Sequence, residues 1–257
     1  MRRIGPVWVL LLALGLLACS RVEERTDRIV VVTDATYQPF EFFDENRQIV
    51  GFDIDLMREI GKRAGFEVEF VHQPFVGGLA GIESGQYDAM ISAMTITEDR
   101  KKTFLFSDPY YDAGQIIAVR EDQRGITGLE DLRGRKIGVQ RGTTGALLAQ
   151  TVPGAAVLEY DTIDLAFLAL RNGTVDAVIN DEPTSRTIAR TKGGFRLVGV
   201  PLTNEQYGIA FRKDRADLAE RVNRALAELK ADGTLRRLHQ KWIVEYAGAE
   251  ASGAPSE

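Results

Sequence analysis

The feature that most constrains the fold of this chain is an internal similarity between two stretches that start 88 residues apart. Residues 70–91 align without gaps to residues 158–179, and both read as a strand, a short helix, a glycine turn and a second strand. Near its end, each stretch carries a glycine, an aspartate, an alanine and an isoleucine at matching positions. A chance match over so short a stretch is the alternative. The similarity favours two lobes, each built around a β–α–β unit.

The other segments also alternate between strand and helix patterns. Residues 29–32 are a continuous apolar run, which is typical of a strand covered on both faces. Residues 53–64 have apolar side chains at helical spacing, and Gly65 follows as a stop signal. The second half repeats the order, with a strand over 136–139 and a helix that opens at Ala146. We therefore predict an α/β fold of mixed, mostly parallel sheets flanked by helices.

The first residues of the chain read as a processing signal. Two arginines precede an apolar run over residues 7–18, which has the length of a signal-peptide core and is too short to span a bilayer. Cys19, the only cysteine, follows directly, and the stretch resembles a bacterial lipobox. An uncleaved anchor with an incidental cysteine is the alternative. We expect residues 1–18 to be a lipoprotein signal peptide and residues 19–27 to be a lipid-anchored linker, which holds the protein at a membrane in the periplasm or at the cell surface.

Composition and charge exclude several classes of function. Cleavage before Cys19 removes two arginines and no acidic residue, so the formal net charge changes from −5 to −7. A mildly acidic chain without a basic tract argues against nucleic-acid binding. The chain has two histidines far apart in sequence and one cysteine, and its glycine-rich loop at 142–145 lacks the lysine of a phosphate-binding loop. We expect no metal and no cofactor, and we expect residues 248–257 to be a disordered tail.

A segment in the first half has the residue types that hold a carboxylate. An apolar strand over residues 89–91 leads into small and hydroxyl residues and then into a helix with Thr97 as its N-cap. Because Arg100 lies three positions past this cap, hydroxyls, backbone N–H groups and a guanidinium would converge on one small volume. For this segment alone, an ordinary strand–turn–helix with a surface arginine is the alternative.

Several further motifs have the order and spacing of one superfamily. They are TDATYQPFEF at 33–42, GFDIDL at 51–56, MTITEDRKK at 94–102, FSDPYY at 106–111, GTT at 142–144 and QYGIAF at 206–211. With these motifs, residues 28–245 resemble the periplasmic solute-binding proteins of polar amino-acid ABC transporters, the family 3 extracellular solute-binding proteins.

The resemblance implies a two-lobed periplasmic-binding-protein fold with the ligand in the cleft between the lobes. The expected boundaries are 28–109 plus 210–247 for lobe 1, 115–205 for lobe 2, and 110–114 with 206–209 for the hinge. It also implies that the protein captures a free L-amino acid by lobe closure and delivers it to an ABC permease in the inner or cytoplasmic membrane. We expect a monomer.

The resemblance further implies which residues hold the backbone groups of the ligand. The matching positions are Ser92, Ala93, Thr95 and Arg100 in the first lobe and Thr143 and Thr144 in the second. Asp181 matches the position that accepts hydrogen bonds from the ligand ammonium. The alternative for Asp181 is a capping role at the helix that begins near Pro183.

The same matching assigns recognition of the ligand side chain to Asp34, Tyr37, Phe75 and Gln140. Tyr37 and Phe75 would pack on the ligand stem, although either aromatic ring also suits a hydrophobic core. Asp34 follows an apolar strand at the edge where a ligand would lie. Since an acid favours a ligand with donors, we expect glutamine or a basic amino acid such as arginine, lysine or histidine.

Two other functions fit parts of this sequence. Cyclohexadienyl and arogenate dehydratases resemble these binding proteins, and Asp181 and Glu182 are the candidate general acids for such an enzyme. Arg100 together with Asp181 favours capture of an amino acid, because prephenate carries no ammonium, although arogenate does. A ligand-sensing lipoprotein that reports to a separate receptor is the other alternative. Our prediction is a binding protein and not an enzyme.

Overall fold

The computed structural model describes residues 27–246. The predictions for the signal peptide at 1–18, for lipidated Cys19 and for the tail at 248–257 therefore lie outside the described residues. Asp27, which the sequence placed in the linker, is the first residue of the first strand. Within the described chain, no helix combines the length and apolar character that crossing a bilayer requires.

The described chain alternates between strands and helices along its whole length. The strands are β1 (Asp27–Thr33), β2 (Thr36–Tyr37), β3 (Glu41–Phe43), β4 (Ile49–Val50), β5 (Phe66–His72), β6 (Ala89–Met90), β7 (Phe104–Phe106), β8 (Tyr111–Ala113), β9 (Gln115–Arg120), β10 (Lys136–Gln140), β11 (Ala156–Tyr160), β12 (Ala177–Asp181), β13 (Phe195–Val198), β14 (Glu205–Tyr207) and β15 (Ala210–Arg212). The helices are α1 (Phe52–Ala64), α2 (Phe75–Ser84), α3 (Glu98–Thr103), α4 (Thr144–Gln150), α5 (Ile163–Arg171), α6 (Glu182–Lys192), α7 (Ala216–Ala231) and α8 (Thr234–His239). A 3₁₀ turn, Leu129–Leu132, precedes β10, and a π-helical turn, Gln240–Tyr246, follows α8.

Two five-stranded sheets with the same topology form the centres of two lobes. Their strand orders are β5-β1-β6-β15-β7 and β11-β10-β12-β9-β13. In each sheet the first three strands are parallel, and the fourth, β15 or β9, runs antiparallel to both neighbours. Helices α1 and α2 pack on the first sheet, and α4, α5 and α6 pack on the second. The prediction of mixed, mostly parallel sheets flanked by helices is confirmed.

The internal similarity in the sequence corresponds to a repeat in the structure. The first stretch forms β5, α2 and β6, and the second forms β11, α5 and β12. The matched aspartates make the same contact: the Asp88 carboxylate accepts a hydrogen bond from the Val30 N–H at 2.9 Å, and that of Asp176 accepts one from the Lys136 N–H at 2.8 Å. Each aspartate therefore ties the turn before the third strand of its sheet, β6 or β12, to the neighbouring strand, β1 or β10.

Two segments connect the sheets and pair with each other. Strands β8 and β14 form an antiparallel ribbon in which Tyr111 lies opposite Tyr207. The chain leaves the first sheet through β8 and returns to it through β14. The predicted hinge segments, 110–114 and 206–209, both overlap this ribbon.

The start of α1 lies in close contact with the residues before β3. Gly51 has a φ of 134°, and a Cβ atom at this position would lie 2.1 Å from the Phe40 carbonyl oxygen. Only glycine allows this approach. The backbone N–H groups of Phe52 and Asp53 then donate to the carbonyls of Pro39 and Phe40, each at 3.0 Å. The helix therefore begins at Phe52, one residue earlier than predicted, with Asp53 held beside β3.

Candidate functional site

A small cavity lies between the two sheets, where β1, β6, β10 and β12 end. Because the carboxyl ends of parallel strands meet at one edge of a sheet, side chains from four strand ends reach this space. The residues that line the cavity are the eleven that the sequence singled out: Asp34, Tyr37, Phe75, Ser92, Ala93, Thr95, Arg100, Gln140, Thr143, Thr144 and Asp181. The structure thus brings all of them together. Their role in holding a ligand stays a prediction.

Arg100 is the cation of this cavity. The Thr97 hydroxyl accepts a hydrogen bond from the Arg100 N–H at 3.1 Å, so Thr97 caps α3 as the sequence predicted. The Arg100 guanidinium donates to the Thr95 carbonyl at 2.7 Å and to the Gly142 carbonyl at 3.0 Å. Within residues 27–246 it forms no ion pair with an acidic side chain. Burial lowers the pKa of Arg100, and the charges of Asp181 and Glu205 partly offset this effect.

Asp181 is the buried acid of the second lobe. Its position is the N-cap of α6, but its side chain makes no capping hydrogen bond. The carboxylate instead accepts hydrogen bonds from the Tyr207 hydroxyl at 2.5 Å and from the Gln115 amide. A capping role does not account for this side chain. Burial, followed by the charge of Glu205, raises the pKa of Asp181 to about 6.

Asp34 lies in a second acidic region of the cavity. Its carboxylate accepts hydrogen bonds from the Thr36 hydroxyl at 2.9 Å, the Phe75 N–H at 3.1 Å and the Gln140 amide at 2.8 Å. Burial raises the pKa of Asp34, and the hydrogen bonds from Thr36 and Gln140 and the charge of His72 lower it. Because Gln140 belongs to β10 in the second sheet, its bond to Asp34 joins the two lobes across the cavity.

Tyr37 makes a second hydrogen bond that joins the two lobes. Its hydroxyl donates to the Asn180 side-chain oxygen at 2.8 Å, so β2 of the first lobe contacts the end of β12 in the second. Both aromatic rings of the predicted site, Tyr37 and Phe75, are buried and form part of the cavity wall. Each ring therefore belongs to the buried interior of the protein and also lines the cavity.

Ser92 and Ala93 form the wall between β6 and α3. The Ser92 hydroxyl accepts a hydrogen bond from the Asp34 N–H at 3.1 Å and donates to Glu41 Oε1 at 2.8 Å. Ala93 has a φ of 42°, which is rare for a residue with a side chain. Its N–H donates to Asp53 Oδ2 at 2.8 Å. The Ser92 hydroxyl and the Ala93 N–H therefore donate to two acids that do not line the cavity.

Thr143 and Thr144 begin α4 on the opposite wall. The Thr143 hydroxyl accepts a hydrogen bond from the Ala146 N–H at 3.2 Å and donates to the Gln140 carbonyl at 2.8 Å. Its bonds therefore cap α4 and fix the turn after β10. The Thr144 hydroxyl donates at 2.8 Å to Glu205, an acid that the sequence analysis did not single out.

Glu205 joins the two lobes beside Arg100 and Asp181. Its Oε2 atom accepts hydrogen bonds from the Thr95 hydroxyl and the Thr144 hydroxyl, both at 2.8 Å. Glu205 lies on β14 of the connecting ribbon, and Gln115, which donates to Asp181, follows the ribbon directly. The sequence indicated both segments as connections between lobes, but no local pattern indicates that either side chain bonds to residues that line the cavity.

Comparison with known proteins identifies relatives over most of the chain. The profile of the family described as "Bacterial extracellular solute-binding proteins, family 3" matches residues 29–245. ABC transporter arginine-binding protein 1 of Escherichia coli (strain K12) is 34% identical over 223 residues, which are 84% of this chain and 91% of that protein. ABC transporter glutamine-binding protein GlnH of Bacillus subtilis (strain 168) is 36% identical over 203 residues, or 77% of this chain and 74% of that protein.

Solved structures show the same fold. A mutant of ArgBP from T. maritima has a TM-score of 0.81 and 43% identity, covering 84% of this chain and 94% of that one. The arginine-, lysine-, histidine-binding protein ArtJ from Geobacillus stearothermophilus has a TM-score of 0.81 and 33% identity, covering 84% of this chain and 95% of that one. An ancestral amino acid-binding protein described as a precursor of cyclohexadienyl dehydratase has a TM-score of 0.79 and 39% identity, covering 84% of this chain and 95% of that one. The predicted two-lobed fold is confirmed.

Proposed function

Because this chain belongs to family 3 of the bacterial extracellular solute-binding proteins, we propose that it captures a basic L-amino acid, arginine above all, for an ABC importer. The prediction of a binding protein and not an enzyme is confirmed by its relatives, which are named for the amino acids that they bind. Glu182, the other candidate acid for dehydratase chemistry, pairs with Arg186.

The balance of charges around the cavity is the observation that carries this proposal. Arg100 is the one cation among the lining residues, and Asp34 and Asp181 are two acids that share no hydrogen-bond partner among the described residues. Glu205 adds a further acid beside Thr95. A basic amino acid presents one carboxylate and two cationic groups, so its charges complement one cation and two separate acids.

The contacts suggest how such a ligand lies. The guanidinium of Arg100 has five N–H donors and uses two of them on the carbonyls of Thr95 and Gly142, so three remain for a ligand carboxylate. The carboxylate of Asp181 would accept from the ligand ammonium. The ligand side chain would then extend along Tyr37 and Phe75, so that its cationic group reaches Asp34.

Glutamine is the second candidate ligand. The side-chain amide of Gln140 already donates to Asp34 Oδ2 at 2.8 Å, so this acid accepts an amide donor in the structure itself. A glutamine ligand would make the same kind of bond without a second positive charge. GlnH of B. subtilis, which is 36% identical, is named as a glutamine-binding protein.

Lobe closure around the ligand completes the proposed mechanism. We assign 28–109 with 210–247 to lobe 1 and 115–205 to lobe 2, and we place the hinge at 110–114 and 206–209. The bonds from Gln140 to Asp34 and from Tyr37 to Asn180 would form as the lobes close. Closure excludes water around the charged groups and so strengthens their contacts. The closed monomer would then deliver its ligand to the permease.

We also propose that Cys19 carries lipid and anchors the protein at a membrane. The support is the apolar run at 7–18 directly before this cysteine. Membrane fractionation of a bacterial host that expresses the full chain tests this proposal. Cys19→Ser is expected to move the protein into the soluble fraction, whereas the neighbouring Ser20→Ala leaves it with the membranes. Membrane association that survives Cys19→Ser would contradict the anchor.

A thermal-shift panel of the twenty L-amino acids tests the ligand. The protein starts after Cys19 and is unfolded and refolded first, so that it carries no ligand from the expression host. A ligand present at a thousand times its Kd stabilises the folded state by about 4 kcal/mol. The largest shifts are expected with arginine and lysine. A larger shift with glutamine would favour the second candidate, and a flat panel would contradict the proposal and lead to trials of prephenate and arogenate.

A further inference from the structure

Two acidic side chains lie directly behind the cavity wall. Glu41 is the first residue of β3, Asp53 is in the first turn of α1, and both side chains are fully buried. The close contact at Gly51 sets these two elements together, and the Asp53 N–H donates to the Phe40 carbonyl beside Glu41 at 3.0 Å. Within residues 27–246 neither acid forms an ion pair with a lysine, arginine or histidine.

Each of these carboxyls uses only one oxygen. Glu41 Oε1 accepts a hydrogen bond from the Ser92 hydroxyl, and Asp53 Oδ2 accepts from the Ala93 N–H and from the Tyr110 hydroxyl, all at 2.8 Å. The second oxygens, Glu41 Oε2 and Asp53 Oδ1, are buried and have no donor among the described residues. Hydrogen bonding between the two side chains raises the pKa of Glu41 and lowers that of Asp53.

A single proton bound to the two carboxyls would remove the unfavourable contact between them. Two ionised carboxylates that are buried side by side without a cation repel each other and lose their hydration. One proton on Glu41 removes the repulsion and makes an O–H donor for Asp53, which pairs both remaining oxygens. The donors that reach the other oxygens stay in place.

We propose that Glu41 and Asp53 share one proton, and that the protonated pair positions Ser92 and Ala93 in the wall of the ligand cavity. Both residues act through others and are positioning residues. The proposal concerns the same cavity as the proposed function, so its effect on ligand affinity rests on that function. The presence of the shared proton does not depend on that function.

The backbone of Ala93 shows what the pair holds in place. A φ of 42° is strained for alanine, and such residues persist only where their surroundings fix them. The bond from the Ala93 N–H to Asp53 supplies that support at 2.8 Å. Because Tyr110 donates to the same oxygen, the pair also reaches the segment that leads into the ribbon between the lobes.

The electrostatic surroundings of the pair favour a bound proton. Burial raises the pKa of Glu41 well above its usual range, and the charges of Asp53 and Asp34 raise it further, while the Ser92 hydrogen bond lowers it. Burial also raises the pKa of Asp53, to about 6. The other titratable groups that face the pair are the hydroxyls of Tyr37 and Tyr110, whose pKa values burial raises well above the usual range.

The sign of the pH dependence follows from the raised pKa of Glu41. The folded state binds a proton that the unfolded state releases above its ordinary value of 4.5. The contribution to folding stability is therefore complete below that pH and is lost as the pH rises toward the folded-state pKa. Over that interval, a difference of one proton changes the unfolding equilibrium constant by about tenfold per pH unit.

Glu41→Gln is the variant that separates this proposal from a general structural role. The glutamine oxygen accepts from Ser92 as Glu41 Oε1 does, and its amide donates permanently to Asp53 Oδ1. Unfolding of the full chain in urea, without ligand, is measured from pH 5 to pH 9 for the wild type, Glu41→Gln and the control Glu45→Gln. Glu45 is an exposed glutamate on the loop after β3. The wild type and the control should lose stability with rising pH, and their unfolding equilibrium constants should rise by about tenfold more per pH unit than that of Glu41→Gln.

Arginine affinity gives the second readout. At pH 7, Glu41→Gln should bind within about threefold of the wild type, whereas Glu41→Ala should lose most of its affinity, because it leaves Ser92 without its acceptor. Parallel pH profiles for the wild type and Glu41→Gln would overturn the proposal. If no variant binds any amino acid, the proposed function fails while the urea profiles still decide whether the proton is shared.

A measurement on the wild type alone covers the case in which Glu41→Gln fails to fold. Carbon-13 labelling of glutamate carboxyls should show, at pH 7, one resonance with the chemical shift of a protonated acid. The absence of such a resonance at pH 7 would overturn the shared proton.

Discussion

The guanidinium carbon of Arg100 lies 5.2 Å from the centroid of the Phe75 ring. This stacking, together with the hydrogen bonds to the carbonyls of Thr95 and Gly142, fixes the side chain, which has no acidic ion-pair partner in the described part of the chain. A guanidinium that is positioned by a ring and two neutral carbonyls keeps its full charge for a ligand. Since Gly142 belongs to the second lobe, the same side chain also contacts both walls of the cavity.

Arg100→Ala is therefore expected to weaken amino-acid binding by about two orders of magnitude while the fold persists. Loss of a charged hydrogen-bonding partner in a closed site costs about 3 kcal/mol, which is a factor of about 150 in Kd. Calorimetric titration with arginine measures this loss. The control is Arg133→Ala, because Arg133 is exposed and pairs with Glu130 at 2.7 Å. Unchanged affinity in Arg100→Ala would remove Arg100 from the site.

Asp34→Asn is expected to change which amino acid the protein prefers. The asparagine oxygen can replace Oδ2 and accept from the Phe75 N–H, and its amide NH2 can replace Oδ1 and donate to the Thr36 hydroxyl. The local fold is therefore kept, but the charge that favours a cationic side chain is lost. Arginine affinity should fall about tenfold or more, a change of about 1.4 kcal/mol, while glutamine affinity changes little. Competition titrations with both amino acids measure the ratio. Asp99→Asn, at an exposed acid paired with Lys102, is the control. An unaltered ratio would exclude Asp34 from ligand recognition.

Local sequence signals were sufficient for much of the site. Thr97 as a cap, Arg100 three residues later and Asp34 directly after an apolar strand are all contained within a few neighbouring residues. The repeat also marked Asp88 and Asp176, which bind β1 and β10 in the same way. Such features involve residues that are neighbours along the chain, so the sequence alone is enough to predict them.

The residues that sequence reasoning missed depend on contacts between distant segments. Glu205 enters the site because β14 pairs with β8 and because Thr95 and Thr144 approach it from opposite lobes. Gln115 reaches Asp181 for the same reason, because it follows the β8 segment that pairs with β14. No periodicity or motif in one segment states which side chain of another segment it will meet, so these roles were not predictable.

Ligand affinity is expected to fall as the pH is lowered through about 6. The ligand ammonium requires an ionised Asp181, and burial together with the charge of Glu205 raises the pKa of that acid to about 6. Affinity for arginine should be constant above this pH and decrease about tenfold per pH unit well below it. The folding stability of the ligand-free protein depends on pH in the opposite direction. The raised pKa of Asp181 gives a contribution to stability that is lost as the pH rises to about 6.

Glu205→Gln tests the source of this pH dependence. Removal of the negative charge lowers the pKa of Asp181, so the midpoint of the affinity curve should move below pH 6 while Thr95 and Thr144 keep an acceptor. Titrations with arginine between pH 4.5 and pH 8 give the midpoint. Glu182→Gln is the control, because Glu182 adjoins Asp181 in sequence but pairs with Arg186. Identical midpoints in the wild type and Glu205→Gln would show that Glu205 does not act on Asp181.

Gly114→Ala is expected to weaken both the fold and the site, because Gly114 joins the ribbon to β9. An alanine Cβ atom there would lie 2.2 Å from the Thr203 carbonyl oxygen, a backbone atom that cannot move without displacing the return segment. Overpacking of this kind costs about 1–3 kcal/mol in the free energy of unfolding. The shift would also displace Gln115, whose N–H donates to the Thr203 hydroxyl at 2.9 Å and whose side chain donates to Asp181.

Gly128→Ala is the matched control for this substitution. Gly128 is extended, with a φ of −170°, and no atom lies within 4 Å of the added Cβ position. Alanine fits there and reduces the freedom of the unfolded chain, so stability should stay the same or rise by about 0.4–1 kcal/mol. Urea unfolding of both variants gives the comparison. Equal midpoints would mean that the segment at Thr203 shifts at little cost, and the ribbon would then be a flexible link and not a hinge of fixed geometry.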